Sequence, residues 1–141
     1  MAMSSRFTIA VHILTVLAQA QDEPLKSDFV ANSINTNPVV VRRIWSELAK
    51  SGLIVSRTGA TGGGMLARKA AEITLLDVYS AVENRCLFSM HVNPPNKRCL
   101  IGKNIQTALE AIFVEAQHAM QSVLARKTIA DISAAVLKHC R

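Results

Sequence analysis

From Phe7 to Leu17 the large apolar residues Phe7, Ile9, Ile13, Leu14 and Leu17 keep helical spacing, with Thr8, His12 and Thr15 between them. Such a stripe turns one helix face to a core. It predicts a first helix over about residues 5–19, ending in the polar run AQDEP. A second, short helix starts at Ser27, a residue suited to capping, and covers DFVANSI. In the NTNP stretch that follows, Asn37 can cap the next helix. Pro38 suits a first helical position, where its missing N–H has no partner to lose. Within PVVVRRIWSELAKSG, Val41, Ile44, Trp45 and Leu48 fall at i, i+3, i+4 and i+7, which is a buried face, and Gly52 is a natural terminator.

After Gly52, LIVSR reads as a strand, TGATGG as a turn and GMLAR as a returning strand. ITLLDVYSAVE is helical again, with Thr74 and Asp77 at the spacing of a capping box and Asp in the place of Glu or Gln. The two prolines of NRCLFSMHVNPPNKR predict an irregular loop. Beyond it, Ile101, Ile105, Ala108, Ile112, Ala116, Ala119 and Val123 recur three or four apart. That pattern predicts one helix of about 24 residues, roughly 36 Å long. A small domain cannot bury such a helix alone, so these residues are expected to meet a partner helix. A last short helix begins near Thr128. The expected fold is mainly α with a small β wing. It comprises a winged helix-turn-helix domain over residues 1–83, a loop over 84–99, and a long dimerisation helix with a short C-terminal helix over 100–141.

Composition narrows the function. The formal net charge is +6 in 141 residues, 50% of them hydrophobic, so a core is available and an acidic partner is favoured. Between Thr36 and Lys69 stand six basic residues, Arg42, Arg43, Lys50, Arg57, Arg68 and Lys69, against the single acid Glu47. Six minus one is +5, so most of the excess lies in about a quarter of the chain.

The glycine-rich run SRTGATGGG has two readings, a phosphate cradle or a tight turn. A phosphate-binding P-loop requires lysine and Ser/Thr after its last glycine, where this chain has Met65 and Leu66. A dinucleotide fingerprint runs from strand into helix, whereas a second strand-like run follows here. The run is therefore a hairpin turn. Two helices joined by a short turn, the second with adjacent arginines, make a helix-turn-helix, and the hairpin is its wing. Asn37, Val39, Val40, Arg42 and Arg43 lie at the N-terminal end or outer side of the second helix, the part that enters a major groove in such motifs. Arg42 or Arg43 can pair with guanine and Asn37 with adenine, or each can contact phosphate alone. Arg57, Thr58 and Thr61, with Gly59, Gly62 and Gly63 allowing close approach, are candidates for backbone contacts. The competing reading treats the arginines as ordinary solvated charges. The coincidence of helix-turn-helix, wing and local +5 favours double-stranded DNA as the partner.

Other chemistry is sparse. His12, His91, His118 and His139 form no catalytic set with the acids or hydroxyls, so no enzyme is expected. The opening MAMSSR, FTIAVHILTVLA and AQA has the outline of a signal peptide, but its polar interruptions and helical stripe fit a core helix better. No run approaches the ~20 apolar residues of a membrane span. Cys86, Cys99 and Cys140 are odd in number and widely spaced, which suits a reducing, cytoplasmic setting.

The run ANSINTNPVVVRRIWSELAKSGLIVSRTGATGGGMLA, followed by ITLLDVYSAVE and preceded by SSRFTIAVHILTVLA, resembles the Rrf-two (Rrf2) family of bacterial winged-helix regulators. The most specific positions are Leu48, Gly52, Leu53, Ser56, Gly59, Gly62, Gly63 and Leu66. Within the family the chain is similar to the YwnA-like branch, whose members lack a metal cluster. The resemblance implies a homodimer joined through the long helix, a pseudo-palindromic operator, and repression more often than activation. The best-known members carry a [2Fe–2S] cluster on three closely spaced cysteines. Here Cys99 matches the last of them and LFSMHVNPPNK supplies no others, so neither a cluster nor another metal is expected. Cys99, between Arg98 and Lys103 at the start of the long helix, is instead a candidate thiol switch with Cys86 or with Cys140 of the other subunit. The alternatives are a small packing role for Cys99, control by a small-molecule ligand, and a winged helix used for protein–protein contact.

Overall fold

The computed structural model describes residues 4–140, so residues 1–3 and 141 of the ranges given above lie outside the described residues. In chain order the elements are α1 (Arg6–Gln19), α2 (Ser27–Ile34), α3 (Pro38–Lys50), β1 (Ile54–Arg57), β2 (Gly63–Leu66), a single 3-10 turn (Ala70–Glu72), α4 (Leu75–Val82), α5 (Leu100–Ala125) and α6 (Ile129–Lys138). They form two compact units, one running to Glu83 and resuming at Leu124, the other Asn84–Val123.

The first unit is built on the stripe that opens the chain. Ile13, Leu14 and Leu17 of α1 are buried against Val30 of α2, Val41, Ile44 and Leu48 of α3, and Val78 of α4. Each contributes roughly 1.5–3 kcal/mol by leaving water. The segment Asn35–Asn37 joins α2 to α3. Asn35 ends α2 in the left-handed region at φ 58°, a conformation that asparagine tolerates well, and its N–H reaches the Ala31 carbonyl at 2.9 Å. Asn37 then caps α3, its Oδ1 accepting the Val39 N–H at 2.8 Å, with Pro38 at the first helical position. At the other end of α3 the N–H groups of Gly52 and Leu53 bond to the carbonyls of Ala49 and Leu48, at 3.1 and 3.0 Å. Leu48 and Leu53 are both buried beside this Schellman turn. Arg6 of α1 bonds to the Glu47 carboxylate on α3 and, at 3.3 Å, to the Val82 carbonyl at the end of α4, which ties three helices together.

Two local expectations change. Ser27 is the first residue of α2 rather than its cap; Lys26 occupies the cap position and its side chain is used elsewhere. The short C-terminal helix, which the sequence reading grouped with the long helix, packs on α1 and belongs to the first unit. Its start is stitched to the start of α4. The Leu75 N–H bonds to the Lys127 carbonyl at 2.8 Å, the Ile129 N–H bonds to the Ile73 carbonyl at 2.9 Å, and Ile129 is fully buried. Thr74 with Asp77, and Thr128 with Asp131, form capping boxes at the two helix starts.

In the second unit the loop after α4 is fastened onto α5. Phe88 stacks on Phe113 with ring centroids 4.9 Å apart, and the Leu87 N–H donates to Gln117 Oε1 at 3.0 Å. No described residue of α5 is buried, and Ile101, Ile112 and Val123 are 69%, 58% and 49% exposed.

The two faces of α3 should respond differently to truncation. Leu48→Ala is expected to lower the unfolding free energy by about 2–5 kcal/mol. Val39→Ala, at a position 51% exposed, should stay within about 0.5 kcal/mol. Urea titration of both variants checks the contrast, and equal losses would mean that α3 is packed on both sides.

Candidate nucleic-acid interface

Burial of Val41, Ile44, Trp45 and Leu48 leaves the opposite side of α3 uncovered. Val39, Arg42 and Arg43 are exposed there, whereas Val40 is half-buried and packs on the core. Arg42 Nη1 lies 3.4 Å from Asp28 Oδ1, with both side chains more than half exposed. Such a pair is worth about 0–1 kcal/mol and is readily exchanged for another anion. Arg43 is in no ion pair among the described residues. Glu47, the one acid of this basic stretch, is held by Arg6. Asn37 is exposed at the same end of the helix, but its carbonyl oxygen is committed to the Val39 N–H. Pairing edge-on with adenine needs that oxygen as well as the amide N–H.

The wing is an antiparallel hairpin in which Ser56 pairs with Gly64 and Arg57 with Gly63. The Gly62 N–H closes the turn on the Gly59 carbonyl at 3.1 Å. Arg57, Thr58, Gly59 and Thr61 are exposed along it, while Gly62 is buried. On the far side of β2, Leu25 exchanges both backbone hydrogen bonds with Gly64, at 3.0 and 2.8 Å, so β2 is flanked on both edges. Close approach explains the glycines. A Cβ on Gly63, where φ is +146°, would stand 2.5 Å from the Leu25 carbonyl oxygen. A Cβ on Gly64 would lie 2.0 Å from the Trp45 ring. Lys26 Nζ, from the start of α2, donates to the Gly59 carbonyl at 2.8 Å and so reaches the turn.

Between wing and helices opens a cleft of about 590 Å³, lined by Lys26, Arg42, Trp45, Ser46, Ser56 and Arg57 among others, with no acid in its lining. Three cations on the walls of one cleft suit a phosphate backbone. Of the sequence candidates, the structure brings Arg42 of α3 and Arg57, Thr58, Gly59 and Gly63 of the wing to this cleft, and leaves Asn37, Val39, Val40, Arg43, Thr61 and Gly62 outside its lining. It adds Lys26, Ser46 and Ser56, which the charge count passed over because they lie outside the arginine pair or are uncharged.

The three cysteines are free and exposed. Cys99 immediately precedes α5, and its pKa is lowered because the backbone N–H groups of Gly102 and Ile101, in the first turn, hydrogen-bond to the thiolate. Cys86 lines an apolar cavity of about 310 Å³ in the second unit, with Leu87, Phe88, Met90, Phe113 and His118 among its neighbours. Cys140 follows α6 in the first unit.

Comparison with known proteins gives a consistent picture. The family model Rrf2, described as an iron-dependent transcriptional regulator, matches residues 3–135. The "Putative HTH-type transcriptional regulator YwnA" of Bacillus subtilis (strain 168) is 44% identical over 131 residues, 92% of this chain and 96% of that protein. A crystal structure of a "putative transcriptional regulator" from Lactobacillus plantarum is 28% identical. It superposes with a TM-score of 0.81 over 97% of this chain and 93% of the other. Another, described as a "putative DNA binding protein", is 39% identical with a TM-score of 0.73, over 91% and 98% of the two chains. The family description mentions iron. Among the described residues no three of His, Cys, Asp and Glu gather as a metal-binding group. Also among the described residues, no helix is long and apolar enough to cross a membrane.

The amide contacts at Cys99 have a measurable consequence. Thiolate is the reactive form, so a lowered pKa keeps Cys99 reactive at lower pH. Peptide-resolved alkylation with iodoacetamide across pH should reach half its maximal rate for Cys99 at a pH below the half-point of an unstructured cysteine peptide. A half-point at or above that value would show that the helix amides do not hold the thiolate.

Proposed function

The chain belongs to the Rrf2 family of transcriptional regulators, which are DNA-binding proteins and not enzymes, and from that premise we propose that it is a homodimeric repressor reading a pseudo-palindromic operator. The observation that carries the reading is the outer side of α3: Val39, Arg42 and Arg43 are exposed beside a wing whose cleft is lined by Lys26, Arg42 and Arg57 and by no acid. Two such surfaces, related by a twofold axis, would meet half-sites about one helical turn apart. Dimerisation through α5 is supported by its exposed stripe, in which Ile101, Ala108, Ile112, Ala119 and Val123 are exposed and Ile105 and Ala116 half-buried. Stripes of that kind gain most from a second apolar helix.

We assign the signal to thiols and no role to a metal. In this reading a peroxide oxidises the Cys99 thiolate to a sulfenic acid. A second thiol, on Cys86 or on the partner subunit's Cys140, then displaces water to form a disulfide, so two electrons pass to the peroxide. The cross-link would change the spacing of the two α3 helices and release the operator. The exposure of Cys99 and its amide-stabilised thiolate support this choice. Control by a small apolar ligand is the second reading, favoured by the cavity lined by Leu87, Phe88, Met90 and Phe113.

Selection of genomic fragments on the protein, reduced and peroxide-treated in parallel, tests both layers. Enrichment of one palindrome by the reduced protein only, abolished as a difference by Cys99→Ser, is the expected result. Equal enrichment in both states removes the thiol signal and leaves the ligand reading, and no enrichment removes the operator. On the selected site, Arg42→Ala is expected to cost about 1–3 kcal/mol and to relax preference at one base pair if Arg42 reads a base. Uniform weakening across sequences would make it a phosphate contact.

A further inference from the structure

We propose that Trp45 is a positioning residue for DNA binding, one that latches the wing to α3 at a fixed distance through Gly64. This rests on the DNA-binding reading above and assigns work to a residue that touches no base in it. Three features converge on the indole. Its ring lies against Gly64 so closely that a methyl there would stand 2.0 Å from Cζ2 and under 3 Å from Cη2 and Cε2. Its Nε1–H donates to Ser56 Oγ at 3.3 Å, and Ser56 is the residue paired with Gly64 across the hairpin. The indole is 9% exposed, so it is wedged between α3 and both strands of the wing.

The latch acts on the interface because of what it separates. Arg42 lies three residues before Trp45 on α3, and Arg57 follows Ser56 on β1. Trp45 lines the same cleft as both cations, and by joining α3 to the hairpin it would set how far apart they stand. A duplex presents its groove edges and phosphates at fixed spacing, so a wing held at one distance binds without first losing its freedom. Lys26 Nζ on the Gly59 carbonyl is a second tie at the turn, but an exposed one that yields to a phosphate more easily.

Two measurements on the intact protein test this, one without DNA. In native-state hydrogen exchange the amides of residues 56–64 should exchange several-fold faster in Trp45→Phe and in Gly64→Ala than in the parent protein. The first variant removes the wedge and the second expels it. Combining them should restore protection, because phenylalanine lacks the indole atoms that the methyl introduced by Gly64→Ala would strike. With the selected operator, log Kd against log salt should become shallower by about one in each single variant, the loss of one phosphate contact. The double variant should recover the parent slope. Salt slope counts phosphate contacts and would not move if Trp45 were only a core residue. Should Gly64→Ala not fold, Trp45→Phe alone decides. Unchanged exchange in the wing, or faster exchange with the parent salt slope, overturns the latch. Failure of the parent protein to bind any operator would remove the DNA reading and with it this use of the latch, and the exchange data would still report whether Trp45 holds the wing.

Discussion

A helix that keeps one face open has to be held from the other side only, and most of this fold follows from how α3 meets that demand. Its thirteen residues carry a buried face of Val41, Ile44, Trp45 and Leu48. Most of the remaining positions are left to solvent or to a polar partner. Burial of that face against α1, α2 and α4 supplies the stability, so the outer face need contribute none. Glu47 sits at the border of the two faces and is drawn to Arg6, which pairs the one acid of the stretch from Thr36 to Lys69 while joining α1, α3 and α4. The charge pattern and the packing are therefore one arrangement: whatever is apolar in α3 faces the core, apart from Pro38 and Val39 in its first turn, and its cations face out.

The wing depends on the same helix. A two-stranded hairpin of four residues a side is marginal in water by itself. Here it is held by the backbone bridge from Leu25, by the Lys26 tie at its turn and by the indole of Trp45. Each contact brings something bulky against a glycine or a glycine carbonyl. The glycine run is thus a record of crowding more than of flexibility. Gly63 admits the Leu25 backbone and Gly64 admits the ring, so the segment that looks most pliable in the sequence is fastened at three points.

Periodicity made most of the helices legible, because each has one clear apolar face and an identifiable start. The buried face of α3, the cap at Asn37 and the box at Thr74 and Asp77 were all readable from residue spacing. What escaped was non-local. Nothing near Lys26 tells that its side chain will reach Gly59, thirty-three residues on, or that Leu25 will extend the sheet. The placement of α6 was hidden for the same reason. Its short amphipathic pattern fits several neighbours, and only the pairing of Lys127 and Ile129 with Leu75 and Ile73 identifies α1 and the start of α4 as its setting. Within the candidate site the exposed arginines were visible as charge, whereas Trp45 read as core and nothing more. Its contact with Gly64 depends on two elements whose approach the chain order does not state.

The two units share one chain with just two crossings, Glu83 to Asn84 and Val123 to Leu124. The first crossing leaves from the end of α4, where the Val82 carbonyl accepts from Arg6 and Arg6 holds Glu47 on α3. The second enters at the end of α5 and within a few residues reaches Lys127 and Ile129, which are bonded to Leu75 and Ile73 at the start of α4. Both crossings therefore bear on α4, one at each end of an eight-residue helix. Val78 and Ile129 are fully buried there, and capping boxes fix the starts of both α4 and α6. α4 is therefore held at both ends, by the hydrogen bonds from residues 127–129 at its start and by Arg6 on the Val82 carbonyl at its end.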